Sequence, residues 1–224
     1  MEGEPTEKKL GLQEHASVSH QGVLEGMLTP KDQDDRLADA ILQRWAQRRP
    51  PAHGRIAVPF SLARIMSPLG PMVVAADQQR LILMEFADRE TLDTQLRDTQ
   101  ALFCADFHIE TNSLIRQVEE QLREYFRGHR SKFTVPCELR GTEFQRSVWE
   151  QLLAIPPGTT LSYQELANRV GKPGAQRAVG RANGQNRLAI LVPCHRVVRA
   201  DGKLSGYAGG VWRKRWLLER ERQT

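Results

Sequence analysis

Residues 55–86 read RIAVPFSLARIMSPLGPMVVAADQQRLILMEF. The three apolar, β-branched runs RIAVPFSLARI, PMVVAA and RLILMEF are punctuated by SPLGP and ADQQ, which are turn-forming segments, and this pattern predicts a small antiparallel sheet. Downstream, 111–126 sets Leu114, Ile115, Val118, Leu122, Tyr125 and Phe126 on one helical face, suited to covering such a sheet. Together these make an α+β domain over residues 55–137. Upstream, 34–48 carries Leu37, Ile41 and Trp45 at helical spacing and must stop before Pro50-Pro51. This short helix has no evident docking partner in the sequence. Residues 1 to about 34 are polar and contain no aromatic residue, which predicts a flexible tail. Residues 1–54 thus form an N-terminal extension with one short helix.

From about Gly141 the pattern changes to short helices with clear start signals. Thr142 and Gln145 form a T-x-x-Q capping arrangement before FQRSVWEQLLAI, and Pro156-Pro157-Gly158 ends that helix. Ser162 and Glu165 form a second capping box that opens SYQELANRV, closed by Gly171. Pro173, at a first helical turn, then opens GAQRAVGRAN, where Ala175, Ala178 and Ala182 permit close approach to another surface. This succession fits a helix-turn-helix, although two ordinary packed helices would read the same way. The predicted class is therefore α/β (α+β), with a mostly helical second domain over residues 138–224.

Charge separates the two parts. Residues 138–224 hold 15 Lys and Arg against 7 Asp and Glu, a net of +8, whereas residues 1–137 hold 17 against 20, a net of −3. A basic excess confined to one domain favours phosphate contacts with a nucleic acid. The 224-residue chain is 40% hydrophobic, enough for one or two cores, and its first residues lack a signal-like apolar run. No stretch approaches the roughly 20 apolar residues that span a bilayer, so no membrane association is expected. Three irregularly spaced cysteines (104, 137 and 194) make neither a disulfide framework nor a structural zinc site, which points to a reducing compartment. The expected location is cytoplasmic in a bacterium or nuclear in a eukaryote.

The chemistry is concentrated in LAILVPCHRVV, residues 188–198, where Cys194, His195 and Arg196 are set among aliphatic residues. A cysteine in such company is often an inert small hydrophobe. Here His195 and Arg196 could stabilise a thiolate, the reactive form. Pro193 fixes the backbone and extends Val192, which suits presentation of the next side chain at a pocket floor. Glu221, in the closing helix, could orient the histidine in a base-plus-orienter arrangement. Adjacent Cys and His lack further ligands for a metal, and a cysteine hydrolase usually draws its two groups from separate segments.

The strings PCHRVV, SYQELA and GYAGGVWRKRWLLERE, joined by SPLGP and RGTEFQRSVW, closely resemble the O6-alkylguanine-DNA alkyltransferase family, from about Arg55 to Glu221. The resemblance implies a DNA repair protein that flips O6-alkylguanine from duplex DNA. It would transfer the alkyl group irreversibly, once per molecule and without cofactor or metal, to Cys194. O4-alkylthymine as a second substrate is left open. In the family's pattern His195, a water and Glu221 activate the thiol, Tyr163 helps rotate and bind the nucleotide, and Asn186 ties down the turn before the active-site segment. Arg177 would fill the gap left by the base while Ala175, Gln176, Ala178 and Gly180 meet the minor groove. Tyr207 and Ala208 would line the substrate pocket with Pro193 and Val197, and the Cys194 and Val197 carbonyls would read the exocyclic amine. Ala208 stands where human-type members have serine, and the human-type zinc ligands are not recognisable. The family implies a monomer on double-stranded DNA, with cooperativity left open. Alternatives are a lesion-binding module without transfer, in which the PCHR cysteine is replaced, and a transcriptional regulator, which would need a zinc sensor absent before Cys104.

Overall fold

The computed structural model describes residues 32–50 and 56–223; the flexible tail predicted for residues 1 to about 34 lies almost wholly outside them. Helix α1 (Asp32–Ala46) precedes strands β1 (Val58–Ser67), β2 (Gly70–Ala76) and β3 (Leu81–Phe86). Helix α2 (Leu92–Phe103), strand β4 (Ala105–Ile109) and helix α3 (Ser113–Arg127) complete the first part. The sheet order is β3-β2-β1-β4. The predicted hairpins are present, with β1–β2 and β2–β3 antiparallel, but β4 pairs parallel with β1, so the sheet is mixed rather than antiparallel. The β1–β2 turn requires Gly70, whose φ of 110° a side chain rarely adopts, and Ser67 Oγ donates to the Gly70 carbonyl at 2.7 Å.

Both faces of this sheet are covered, which is why β2 and β3 are apolar almost throughout instead of alternating. Met72, Val74 and Ala76 of β2 join Leu114, Ile115, Val118 and Leu122 of α3 and the C-terminal helices in one core. Val73 and Ala75 turn to a second core with Phe60, Leu62, Phe103 and Phe107. Helix α1 closes that second core, contrary to the expectation that it lacks a docking site. The stripe it buries is Ala38, Ile41, Leu42 and Trp45, while Leu37, assigned to the stripe from sequence, is exposed. Trp45 Nε1 and Arg44 both donate to Asp93 of α2.

The second part contains α4 (Glu143–Leu153), β5 (Leu161–Ser162), α5 (Tyr163–Arg169), α6 (Gln176–Gly184), a 3-10 turn (Cys194–Arg196), β6 (Val197–Val198) and α7 (Val211–Glu221). Both predicted capping boxes form, Thr142 with Gln145 and Ser162 with Glu165. Helix α6 begins at Gln176, not at Pro173, because Gly174 takes a φ of 86° and Ala175 is the N-cap. The first part and the second share the larger core, and β3 extends across the boundary. Met84 N donates to the Arg187 carbonyl and Ala189 N to the Met84 carbonyl, both at 2.8 Å. The segment leading to Cys194 is thereby attached to the edge of the sheet.

Candidate active site and nucleic-acid interface

Two tight turns deliver Cys194. Leu191 N donates to the Ala189 carbonyl at 2.8 Å around Ile190, whose φ of 70° is strained for a β-branched residue. Cys194 N donates to the Val192 carbonyl at 2.8 Å around Pro193, whose φ of −81° and ψ of 60° describe an inverse γ-turn. Asn186 secures both turns. Its Nδ2 donates to the Val192 carbonyl at 2.9 Å and to Cys194 Sγ at 3.1 Å, and its Oδ1 accepts from Leu188 N at 3.0 Å. The Asn186 carbonyl accepts in turn from Gln95 Nε2 at 2.9 Å and Arg89 Nη1 at 3.3 Å. Arg89 also donates to the Gly184 carbonyl at 2.6 Å and forms a buried ion pair with Glu85.

His195, next in the chain to Cys194, has its Nε2 2.9 Å from Glu221 Oε1, the pairing that the base-plus-orienter reading raised and the resemblance implied. Glu221 is held further by Tyr125 Oη at 2.8 Å and by Arg196 Nε and Nη2, both at 2.8 Å. Burial alone would raise the Glu221 pKa, but the hydrogen bonds from His195 and Arg196 hold it far below the usual carboxylate range. An ionised Glu221 favours the proton on His195 Nε2, which leaves Nδ1 as the acceptor. Nδ1 is buried and has no hydrogen-bond partner among the described residues. Arg196, expected beside the thiolate, instead serves Glu221 and the Ile155 carbonyl. The charges that act on the thiol are Glu85, Arg89 and Lys214.

A cavity of about 40 Å³ lies against Cys194, lined in part by Tyr163, Gly180, Asn183, Asn186, Tyr207 and Ala208. Tyr163 and Gly180, assigned to DNA contact, thus share a wall with Tyr207 and Ala208, assigned to the substrate pocket. Pro193 and Val197 are not in the lining: Pro193 is spent in the γ-turn, and Val197 lies in β6 with its carbonyl accepting from Lys214 Nζ at 2.5 Å. The loop carrying Tyr207 and Ala208 needs a glycine at 209, because a Cβ there would stand 2.7 Å from the Phe86 ring. Arg213 anchors the same loop through the Gly209 carbonyl at 2.7 Å. Glu85, Arg89, Asn183 and Lys214 were not singled out from sequence; buried polar residues on separate elements leave no periodic or motif signal.

Helix α6 carries its polar face outward. Arg177, Ala178 and Arg181 are exposed, with Lys172 and Arg169 nearby in sequence, while Val179, Ala182 and Asn183 face inward. Ala175 and Gln176 are half-buried, and Gly180 lies over the Tyr163 ring, so a Cβ there would touch it at 3.6 Å. No side chain caps the α6 N-terminus, whose amides and partial positive charge suit a phosphate. Among the described residues no group of three or more His, Cys, Asp or Glu could hold a metal ion, and no helix is long and apolar enough to cross a membrane.

Comparison with known proteins finds matches over both parts of the chain. Residues 62–139 match the family model "6-O-methylguanine DNA methyltransferase, ribonuclease-like domain", and residues 143–223 match "6-O-methylguanine DNA methyltransferase, DNA binding domain". A methylated-DNA–protein-cysteine methyltransferase of Mycobacterium bovis is 58% identical over 103 residues, 46% of this chain and 62% of the relative, so the match spans about three-fifths of that protein. The relative of the same description from Methanosarcina acetivorans is 41% identical over 155 residues, 69% of this chain and 94% of its own. Among solved structures, Mycobacterium tuberculosis OGT in complex with DNA superposes with a TM-score of 0.63 at 41% identity, covering 73% of this chain and 93% of that one. On these matches, over both parts of the fold, the chain belongs to the 6-O-methylguanine DNA methyltransferase family.

Proposed function

We propose that this protein repairs DNA by transferring the alkyl group of O6-alkylguanine to its own Cys194. The observation that carries the reading is the placement of the Cys194 thiol on a cavity lined in part by residues of the exposed basic helix α6, with His195, next to it in the chain, held by Glu221. A base stacked in a duplex cannot offer its O6-alkyl carbon to this recessed sulfur, so the nucleotide must be extruded. Arg177, exposed on α6, is suited to fill the vacated stack, and the small residues Ala175, Ala178 and Gly180 suit close approach to the minor groove.

In the transfer, the thiol proton leaves toward His195 Nδ1, directly or through one water, while the sulfur attacks the alkyl carbon. A carbon–sulfur bond forms as the carbon–O6 bond breaks. The bonding pair goes to O6, and the proton lost by the thiol is returned to N1 of guanine by way of His195 and solvent, so His195 ends neutral and no net proton is taken up or released. The product is a thioether, which no group at the site can hydrolyse, so each molecule reacts once. Neither a cofactor nor a metal is required by this balance.

Intact mass spectrometry after incubation with a duplex carrying one O6-methylguanine tests the proposal. The expected result is a gain of one methylene per protein, saturating at one and mapping to the peptide that holds Cys194. Cys194→Ala should abolish the gain and keep DNA binding. Tight binding of the lesion by the unsubstituted protein with no change of mass would instead make it a recognition module.

A further inference from the structure

Glu221 Oε1 carries more hydrogen-bond donors than a carboxylate oxygen readily takes. His195 Nε2 stands 2.9 Å from it, and Arg196 Nη2 and Tyr125 Oη each donate to it at 2.8 Å. A carboxylate has about four lone-pair sites over its two oxygens, so these three donors compete for one oxygen. Oε2 is less crowded, with Arg196 Nε at 2.8 Å and Gly158 N at 3.4 Å. Two of the three donors have an evident reason to be there, since His195 is the proposed proton acceptor and Arg196 neutralises a buried carboxylate. Tyr125 is different. It comes from α3 in the first part of the fold, is 4% exposed, and brings no charge to balance Glu221. Burial and the Glu221 charge push its phenol well above the ordinary value, so the hydroxyl donates at every working pH. Its ring packs on those of Phe126 and Phe133, with centroids 5.4 Å away in each case, a role that phenylalanine would fill equally well. Among the described residues the hydroxyl itself is bonded to Glu221 alone.

A histidine beside an ionised carboxylate is drawn toward imidazolium, and an imidazolium cannot accept the proton that Cys194 must lose. Each further donor on Oε1 takes up part of the charge that would stabilise the imidazolium. We propose that Tyr125 is a positioning residue of the transfer, acting through Glu221 Oε1 to keep His195 neutral and its Nδ1 free to accept the thiol proton. This inference rests on the function proposed above. The other charged groups around His195 are Arg196, next to it in the chain, and Lys214 on α7, both of which oppose its protonation. Arg196 and Arg220 face Tyr125. On α4, also packed against the turn that holds His195, the titratable residues Glu143, Arg146 and Glu150 are exposed. Tyr125 is the neutral member of this group, so its hydroxyl can be removed without stranding a buried charge. The sign follows directly: without the hydroxyl, Glu221 is a stronger acceptor for His195, and the histidine takes up its proton at a higher pH.

Nitrogen NMR of the His195 ring in the full chain reads its protonation directly, whether or not the protein transfers alkyl groups. The titration runs from about pH 5 to about pH 8, a span around the ordinary histidine value. In Tyr125→Phe the His195 midpoint should rise by about half a pH unit or more relative to the unsubstituted protein. A titration in Tyr125→Phe that coincides with that of the unsubstituted protein, or lies below it, overturns the inference. Should that variant not fold, 3-fluorotyrosine placed at position 125 alone, a more acidic phenol and so a stronger donor, should move the midpoint down. An unmoved midpoint there overturns the inference equally. Single-turnover methyl transfer from a duplex carrying O6-methylguanine gives the second readout. The ratio of the rate at about pH 8 to that at about pH 6 should be roughly twofold larger in Tyr125→Phe than in the unsubstituted protein. A loss of rate equal at both pH values would make Tyr125 a packing residue and overturn its positioning role. Absence of transfer in the unsubstituted protein would instead overturn the proposed function, and the His195 titration would still decide the link through Tyr125.

Discussion

Cys194 and His195 are adjacent, yet their surroundings oppose formation of a thiolate–imidazolium pair. Burial pushes the Cys194 thiol up, only partly offset by the hydrogen bond from Asn186, and burial pushes His195 down despite its bond to Glu221. Both groups are therefore neutral near pH 7, and the proton must leave as the sulfur attacks. Lys214 helps the thiolate by its charge, but burial brings its own pKa down to about 8. The signs give a definite pH profile. Because the thiol pKa is raised, the transfer rate should climb with pH through the neutral range without a plateau. The climb should become shallower above about 8, where Lys214 loses its proton. Because the His195 pKa is lowered, its protonation should matter only below the ordinary histidine value of about 6.5. Single-turnover rates on a methylated duplex from pH 6 to 9, a span set by those titrations, check this. A bell centred near pH 7 would contradict it.

At the scale of the element, α6 combines two roles. Its outer face presents Arg177 and Arg181, and its inner face presents Asn183 to the cavity. Arg177→Ala should slow repair of duplex DNA by roughly tenfold or more, because unstacking a base costs a few kcal/mol that the arginine would offset. Its reaction with free O6-benzylguanine, which needs no extrusion, should be nearly unchanged. Equal losses on both substrates would remove Arg177 from that role. The element scale also shows what the sequence conveys. The hairpins of residues 58–86, the face of α3 and both capping boxes follow from local periodicity and cap chemistry, which act within a few residues. Strand β4 is a five-residue segment, ADFHI, stabilised by parallel pairing with distant β1, so no local signal marks it. The docking of α1 depends likewise on a sheet face formed far along the chain; of its expected stripe Ile41 and Trp45 are buried and Leu37 alone is exposed. In the site, Cys194, His195 and Glu221 were legible because their residue types and order carry the chemistry. Glu85, Arg89, Asn183 and Lys214 were not, because each gains meaning only from a partner on another element.

At the scale of the whole molecule, the Glu85–Arg89 pair connects the sheet to the active-site segment. Glu85 is on β3, and Arg89 reaches the Gly184 and Asn186 carbonyls, so the C-terminal end of α6 and the support of Cys194 are both tied to the first part of the fold. Both side chains are more than nine-tenths buried. Removing one partner of such a pair leaves an uncompensated charge, at a cost of about 3–5 kcal/mol. Arg89→Met should therefore be strongly destabilising, since it strands the Glu85 carboxylate and releases the Gly184 and Asn186 carbonyls. Glu85→Gln keeps the shape and leaves Arg89 without its counter-charge. The double variant Glu85→Gln/Arg89→Met should lose clearly less stability than the sum of the two single losses, because the second change removes the charge exposed by the first. Urea unfolding of all four proteins measures the coupling. Additive losses would mean that the two side chains contribute independently and that the ion pair itself does not couple the sheet to the active-site segment.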